Sequence, residues 1–250
     1  MPPIGYFTGI KPDKLECADD RVKTGKSPCI SAYSNKYSTI CCIMFTMIFE
    51  CLGVKKAYGR KKILRGISFE AEGGEIIGFS GDNGCGKSTL LSILAGVERP
   101  DDGQVRLGGR SIYSVRGLTD RIGYVPQTDP LPFDMRVSEC LKLWSRSRAD
   151  YDRVIYEYEL EDMIRMKIGK LSGGMRRRVS VACATVSSPD ILILDEPTAA
   201  LDMHYKQLIR SDMKRMAQTG TAVILVSHDY DELNMCNTCY RITNGINEKL

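Results

Sequence analysis

The stretch GDNGCGKST, residues 81–89, decides the fold, because it fits the pattern G-x-x-x-x-G-K-[ST]. An apolar run, residues 76–79, comes directly before it, and residues 87–95 follow with helical spacing. A strand, a glycine loop and a helix in this order form a phosphate-binding loop, in which backbone N–H groups and the helix N-terminus face phosphate oxygens. The sequence therefore predicts a nucleotide site. A glycine-rich turn without a ligand is the alternative.

Each residue type in this loop has a predicted task. Lys87 is expected to contact the β- and γ-phosphates, and the Ser88 hydroxyl to bind Mg²⁺. The loop alone does not distinguish a kinase, a GTPase or a motor protein. The other loop residues expected around the nucleotide are Gly81, Asn83, Gly84, Cys85, Gly86 and Thr89.

Two more apolar runs, residues 191–194 and 223–226, predict strands that are buried on both faces, as in a parallel sheet covered by helices. Asp195 and Glu196 follow the first run, and His228 follows closely after the second. Ligands of open α/β sheets bind at the carboxyl ends of the strands, so these side chains are expected to meet the glycine loop at one site.

The two acidic residues suit metal binding and proton transfer. Asp195 is placed to bind Mg²⁺ through water, and Glu196 to polarise an attacking water molecule. The alternative is that Asp-Glu-Pro only ends a strand. Without the glycine loop that simpler interpretation would be favoured.

A second anion site is predicted at Ser172, Gly173 and Gly174, which precede a helical pattern beginning near Met175. A serine hydroxyl and free backbone amides at a helix N-terminus attract phosphate, although a plain helix cap has the same sequence. One nucleotide per chain has no evident use for two such sites. The second site is therefore expected to serve a nucleotide held by another copy.

Six motifs in order resemble the nucleotide-binding subunit of an ATP-binding cassette (ABC) transporter, over residues 47–250. The family names for them are Walker A (residues 81–89), the Q-loop in IGYVPQ (122–127), the signature LSGGM (171–175), Walker B in ILILDEP (191–197), the D-loop AALD (199–202) and the switch histidine in SHD (227–229). Asp202 resembles the family's aspartate that communicates between the two nucleotide sites. AALD departs from the commoner SGLD by alanine at 199 and 200.

The resemblance implies roles for individual residues, with ATP and Mg²⁺ as ligands. Gln127 would sense the metal and couple to a membrane partner, His228 would contact the γ-phosphate, and Glu196 would be the general base. Ser172, Gly173 and Gly174 would close over ATP bound to the opposite subunit of a head-to-tail dimer. Tyr58 resembles the aromatic residue that stacks on adenine, and a tyrosine at a strand edge is its alternative.

The function that the resemblance implies is an ATPase that dimerises on ATP and drives a separate transmembrane permease. Such a subunit is cytoplasmic and peripheral on the inner face of the cell membrane. LSGGMRRR is similar to ATPases of ABC-2 exporters. One alternative is a soluble ABC-type ATPase in a non-transport process. The other is a small P-loop kinase, but a kinase would leave LSGGM and His228 unexplained.

The predicted fold class is α/β: a P-loop NTPase core with a mostly parallel sheet, a small antiparallel β region and a helical subdomain at about residues 128–187. Residues 1–46 lack a regular period and are expected to form a loosely ordered extension, or to precede a true start at Met47. The apolar stretch at 39–49 is shorter than the ~20 residues that span a bilayer.

Composition limits the other possibilities. The net charge of +4 is too small to predict nucleic-acid binding. Ten cysteines are scattered through apparent core segments, so reduced thiols are expected, and Cys236 with Cys239 lacks the second ligand pair of a zinc site.

Arg176 to Arg178 are expected on a solvated, salt-bridged helix face. The Asp82 carboxylate would be repelled by a triphosphate, so it is expected to point toward a subunit junction.

Overall fold

Two β-sheets organise residues 48–114 and 117–250, which are the residues that the computed structural model describes. The predicted extension, residues 1–46, lies outside them, as does most of the apolar stretch at 39–49. The strands in these ranges are β1 (Ile48–Tyr58), β2 (Lys61–Glu72), β3 (Ile76–Ser80), β4 (Asp102–Leu107), β5 (Arg110–Ser111), β6 (Ile122–Val125), β7 (Ile191–Asp195), β8 (Ala222–Val226), β9 (Thr238–Thr243) and β10 (Ile246–Lys249).

Helices separate the strands along the chain. They are α1 (Lys87–Leu94), α2 (Val137–Trp144), α3 (Arg148–Glu157), α4 (Gly173–Thr185), α5 (Met203–Gln218) and α6 (Tyr230–Asn234). Short 3₁₀ turns occupy Thr119–Arg121, Glu161–Met163 and Ile168–Lys170. No helix in the described ranges is long and apolar enough to cross a bilayer.

The larger sheet has the strand order β10-β9-β3-β8-β7-β6. Its inner pairs are parallel, and only β10 runs antiparallel, against β9. The three apolar runs of the sequence form the central strands β3, β8 and β7, as predicted. The smaller sheet, with the order β2-β1-β4-β5, is antiparallel throughout. The predicted fold class is therefore confirmed.

Alternate side chains of the central strands enter two separate hydrophobic cores. In β7, Ile191 and Ile193 join the core formed with α1 and the antiparallel sheet, whereas Leu192 and Leu194 join the core formed with α4 and α5. All four are buried, and full burial of such a side chain contributes about 1.5–3 kcal/mol. A strand that is covered on both faces, by helices or by a second sheet, therefore has a continuous run of apolar residues in its sequence.

The segment between β6 and α4 contains α2, α3 and two 3₁₀ turns and no strand of either sheet. Tyr158, at its centre, is fully buried. The Tyr158 hydroxyl donates to the Asp212 carboxylate of α5 and accepts from the Thr185 hydroxyl of α4 at 3.2 Å. A polar contact inside the core thus holds this segment, named here the helical insertion (residues 128–172), against both helices. The predicted subdomain bounds, 128–187, stay a prediction.

Candidate functional site

Two glycines allow the loop of residues 81–89 to follow its path. Gly86 precedes α1 with φ at +110°, and a Cβ there would lie 2.8 Å from the Leu64 side chain and 2.9 Å from that of Ile63. Gly81 has φ at +149°, and a Cβ there would lie 2.6 Å from the backbone oxygen of Ile242. Only glycine combines these backbone angles with such close packing. The loop therefore curves tightly before the helix begins.

The Lys87 side chain lies in the curve of this loop. Lys87 is buried, and its Nζ donates to the backbone oxygens of Gly81 at 2.7 Å and Asp82 at 3.0 Å. An ammonium group carries three N–H donors, so these two contacts leave one for a phosphate oxygen. Asp82 presents its backbone oxygen to Lys87, while its side chain is exposed and does not line the neighbouring cleft.

A cleft of about 710 Å³ opens beside the loop and collects most of the predicted site residues. The structure thus brings together the ends of β3, β6, β7 and β8, which lie at one edge of the parallel sheet, as expected for such folds. The side chains and backbone that line the cleft belong to Ile63, Asn83, Gly84, Gly86, Lys87, Ser88, Thr89, Gln127, Asp129, Gly173, Arg177, Asp195, Glu196, Ala199, Ala200 and His228.

The Asp195 carboxylate is suited to a metal ion. Asp195 is 1% exposed, and its Oδ2 has no hydrogen-bond partner. Burial raises the pKa of Asp195, and this rise is opposed by the neighbouring Ser88 hydroxyl and by the positive charges of Arg177 and Lys87. An unpartnered buried carboxylate oxygen beside a serine hydroxyl matches the oxygen ligands that Mg²⁺ prefers. The donor set therefore fits Mg²⁺.

Glu196 and His228 form the reactive pair of the cleft. The Glu196 amide donates to the Val226 backbone oxygen at 2.9 Å, which fixes the end of β7 against β8. His228 Nε2 lies 3.6 Å from Glu196 Oε1. Burial raises the pKa of Glu196, and the neighbouring His228 opposes the rise. A raised pKa favours a carboxylate that has to accept a proton.

A family model described as ABC transporter matches residues 64–199, which is more than half of the chain. The chain belongs to the ABC transporter family. The matched residues include the glycine loop and the acidic end of β7, so the family assignment rests on the same residues that build the cleft. The predicted resemblance is confirmed.

Curated relatives of this ABC family member are named Nod factor export ATP-binding protein I. The one from Burkholderia orbicola is 36% identical over 202 residues, which is 77% of this chain and 66% of that protein. The one from Paraburkholderia xenovorans is 37% identical and covers 76% of this chain and 64% of that protein. The one from Rhizobium sp. is 35% identical, with 81% and 70% covered. The chain thus spans slightly less than two thirds of the first two.

Solved ABC structures share the fold. One titled as the ATP binding subunit of an ABC transporter superposes with a TM-score of 0.76 at 24% identity, over 81% of this chain and 89% of that one. A dimeric ATP-binding cassette in a post-hydrolysis state, bound to ADP and Pi, has a TM-score of 0.74 at 25% identity, over 81% and 98%. A bacterial Atm1-family ABC exporter with ATP bound has 0.73 at 28% identity, over 82% and 38%.

The ABC signature segment differs from the rest of the site. Ser172 is exposed, and its Oγ accepts a hydrogen bond from the Met175 amide at 3.2 Å. It thus caps the N-terminus of α4, which was the simpler interpretation of this serine. Gly173 lines the cleft of its own chain, whereas Ser172 and Gly174 do not. The role of these residues toward a second subunit stays a prediction.

Three other predicted site residues do not line the cleft: Tyr58, Gly81 and Cys85. Tyr58 ends β1 and is 50% exposed, and its hydroxyl donates to Glu98 Oε2 at 2.6 Å. Glu98 raises the pKa of Tyr58, and the nearby Thr89, which does line the cleft, opposes this rise. Tyr58 is therefore adjacent to the cleft, and its stacking on adenine stays a prediction.

The expected solvated face at Arg176 to Arg178 is wrong for two of the three arginines. Arg177 is 5% exposed and Arg178 is 4% exposed. Helix α4 lies between the parallel sheet and the helical insertion, so these positions face protein, and backbone oxygens take the place of water. A guanidinium with such partners can be buried, and the sequence spacing alone does not reveal them.

Glu232, which the sequence analysis missed, supports the same edge of the cleft. It is 1% exposed in α6, and it accepts a hydrogen bond from the Thr198 hydroxyl just after β7. The contact links the segment that follows His228 to the segment that follows Glu196. No signal marks Glu232 in the sequence, because its partner is 34 residues away.

Proposed function

We propose that this chain is the ATP-binding and ATP-hydrolysing subunit of an ABC exporter, which powers a separate transmembrane permease through ATP-driven dimerisation. The observation that carries the proposal is a single cleft that holds Lys87, Asp195 and Glu196 together. These are a phosphate-binding cation, a metal-binding carboxylate and a carboxylate with a raised pKa. Together they supply phosphate binding, metal binding and activation of water, which hydrolysis of a nucleoside triphosphate can use.

Ser88, Asp195 and Gln127 would hold Mg²⁺ in this cleft. Ser88 and Gln127 line the same cleft as Asp195. When bound, Mg²⁺ would neutralise negative charge on the β- and γ-phosphate oxygens.

The remaining chemistry is assigned to the side chains of this chain. Lys87 and the backbone amides of its loop bind the phosphates and orient the terminal one. The Glu196 carboxylate accepts a proton from the attacking water, and its raised pKa favours that step. His228, 3.6 Å from Glu196, contacts the γ-phosphate.

The second partner in the proposal is another nucleotide-binding subunit, identical or related. Ser172 is exposed at the N-terminus of α4, where a phosphate from another chain can approach it. The dimeric ATP-binding cassette with ADP and Pi supports pairing of two such chains, because the shared fold covers 98% of its length. In such a pair Ser172, Gly173 and Gly174 would close over the opposite nucleotide.

The permease partner is supported by the relatives, which are named as export ATP-binding proteins. The helical insertion carries three exposed apolar side chains, Phe133, Leu143 and Trp144, which fit contact with another protein. Attachment there would place the chain at the inner, cytoplasmic face of the cell membrane as a peripheral subunit. An ABC-type ATPase of a non-transport process is not favoured by these relatives.

The test is the Glu196→Gln variant, because an amide cannot accept the proton while the rest of the cleft is unchanged. Removal of a general base costs about 10²–10⁴-fold in rate, so turnover should fall by that factor while ATP still binds. Gel filtration with ATP should then show a dimer. Glu161→Gln is the matched control, because Glu161 is exposed and does not line the cleft.

Normal ATP turnover by Glu196→Gln would contradict the assignment of the base. A monomer with ATP bound would contradict the dimer. Absence of ATP hydrolysis by the wild-type chain, alone or with a co-purified membrane protein, would overturn the proposed function as a whole.

A further inference from the structure

Each nitrogen of the Arg177 guanidinium donates a hydrogen bond to a backbone oxygen of the protein. Nε donates to the Pro197 backbone oxygen at 3.3 Å, and Nη1 to that of Pro126 at 2.6 Å. Nη2 donates to the backbone oxygens of Asp195 and Glu196, the latter at 2.8 Å. A guanidinium has five N–H donors, and these contacts use four of them.

The fifth donor faces a carboxylate. Arg177 Nη1 lies 3.6 Å from Asp129 Oδ1, and Asp129 in turn accepts a hydrogen bond from the Ser180 hydroxyl at 3.0 Å. Arg177 therefore uses four of its five N–H groups on backbone oxygens of the protein, although it lines the nucleotide cleft. Its part in the site is mechanical: it binds protein segments to one another.

The contacts of Arg177 connect two catalytic segments. Three of the backbone oxygens belong to consecutive residues centred on Glu196. The other contacts, to Pro126 and Asp129, lie on either side of Gln127. One side chain of α4 thus joins the turn of the predicted base to the loop of the predicted metal sensor.

The backbone of Glu196 needs such support. Its φ is +51°, in the left-handed region that non-glycine residues rarely adopt. Strained backbones of this kind persist only where the surroundings hold them. The amide of Glu196 is held by the Val226 oxygen, and its carbonyl and both neighbouring carbonyls are held by Arg177. The direction of the Glu196 carboxylate therefore depends on Arg177.

We propose that Arg177 is the positioning residue that fixes Glu196 relative to Gln127, so that a shift of the helical insertion or of α4 is transmitted to the catalytic carboxylate. This inference rests on the proposed ATPase function. Arg177 acts through Glu196, and its loss should lower the rate of the chemical step and leave the binding of ATP nearly unchanged.

The neighbouring Arg178 provides a matched control. It is buried to the same degree on the same helix, and its Nη2 also donates to backbone oxygens, those of Tyr158 at 2.8 Å and Glu159. Its guanidinium carbon lies 3.7 Å from the centre of the Tyr205 ring. None of these residues lines the cleft. Arg178→Gln therefore removes a buried cation of the same helix that makes no hydrogen bond to the Glu196 segment.

The experiment compares the purified full-length wild-type chain with Arg177→Gln, Arg177→Lys and Arg178→Gln. The measurements are kcat and KM for ATP, the Kd of ATP by equilibrium dialysis, and the thermal unfolding midpoint. A misplacement of about 1 Å can cost 10²-fold, so kcat of Arg177→Gln should fall by roughly 10- to 100-fold. Its Kd should stay within about twofold of wild type. Arg178→Gln should lose stability and keep kcat once folded.

A double variant separates positioning from general damage. If Arg177 acts through Glu196, then Arg177→Gln combined with Glu196→Gln should turn over ATP no more slowly than Glu196→Gln alone. If the loss of kcat in the double variant equals the product of the two single losses, the inference is overturned. Arg177→Lys keeps the positive charge but loses the planar guanidinium with its five N–H donors. Its kcat should therefore fall between those of the wild type and Arg177→Gln. If Arg177→Gln does not fold, full kcat in Arg177→Lys overturns the inference.

Two outcomes distinguish this inference from the function on which it rests. A wild-type chain that hydrolyses ATP, with Arg177→Gln equally active or Arg178→Gln equally impaired, overturns the positioning role alone. A wild-type chain that does not hydrolyse ATP overturns the proposed function and, with it, the inference.

Discussion

The glycine loop and the signature segment both precede a helix with glycines, yet their side chains differ in burial and in hydrogen-bond partners. Lys87 is buried beside Asp195 and Glu196 in one cleft. Ser172 is exposed, and its hydroxyl caps its own helix. The chemistry of the loop is therefore complete within one chain, whereas the signature serine has only a backbone amide as its partner.

This difference indicates how the two segments would work. The buried set is held by hydrogen bonds within the chain, so it can bind phosphates without a partner. The exposed serine does not line the cleft of its own chain, so the proposed dimer assigns it to the phosphates of the opposite chain. The comparison predicts that a change in the loop disables the nucleotide site of its own chain in every assembly, whereas a change in the signature disables the site of the chain with which it is paired.

The largest expected effect is that of Lys87→Ala. The substitution removes a buried ammonium that contributes charge-assisted contacts to phosphate, each worth about 1.5–3 kcal/mol, so ATP affinity should fall by at least about tenfold. Equilibrium dialysis with ATP measures the loss. Lys170→Ala is the control, because Lys170 is an exposed lysine outside the cleft. Unchanged ATP affinity in Lys87→Ala would place the phosphates elsewhere.

An intermediate effect is expected from mixing two inactive chains. Ser172→Arg blocks the signature of its own chain, and Lys87→Ala disables the loop of its own chain. A mixed dimer retains one intact loop opposite one intact signature, so hydrolysis should return to at most about half of the wild-type rate for two independent sites. The measurement is ATP turnover against the mixing ratio. No recovery at any ratio would contradict a signature that acts on the opposite chain.

The smallest effect is expected at Asp82, whose side chain is exposed and does not line the cleft. Asp82→Pro should leave ATP affinity within about twofold, since the exposed carboxylate points outside the cleft and solvent and salt screen its charge. It should instead shift the protein concentration at which the Glu196→Gln chain dimerises with ATP. Changed ATP affinity with unchanged dimerisation would place the Asp82 carboxylate at the nucleotide.

The central strands and the cleft could be predicted because their signals are local. The three apolar runs became β3, β7 and β8, and the residues after each run meet at one edge of the sheet. That convergence follows from the geometry of parallel strands, so Asp195 and His228 could be assigned to one site without coordinates.

The supporting contacts could not be predicted, because each joins residues that are far apart in sequence. Arg177 reaches Pro126, 51 residues earlier, and Thr198 reaches Glu232, 34 residues later. Charged residues in a helical pattern are expected to be exposed to solvent. Their burial becomes evident only when the tertiary structure shows the groups that pair with them. The sequence therefore predicted the reacting groups better than the groups that orient them.

The buried hydroxyl of Tyr158 also bears on how the chain is made on the ribosome. Its acceptor, Asp212, is 54 residues further along the chain. At a synthesis rate of 5–20 residues per second, roughly 3–10 s pass between the two residues. During that interval the helical insertion has emerged without its carboxylate partner, so its final docking has to follow the synthesis of α5.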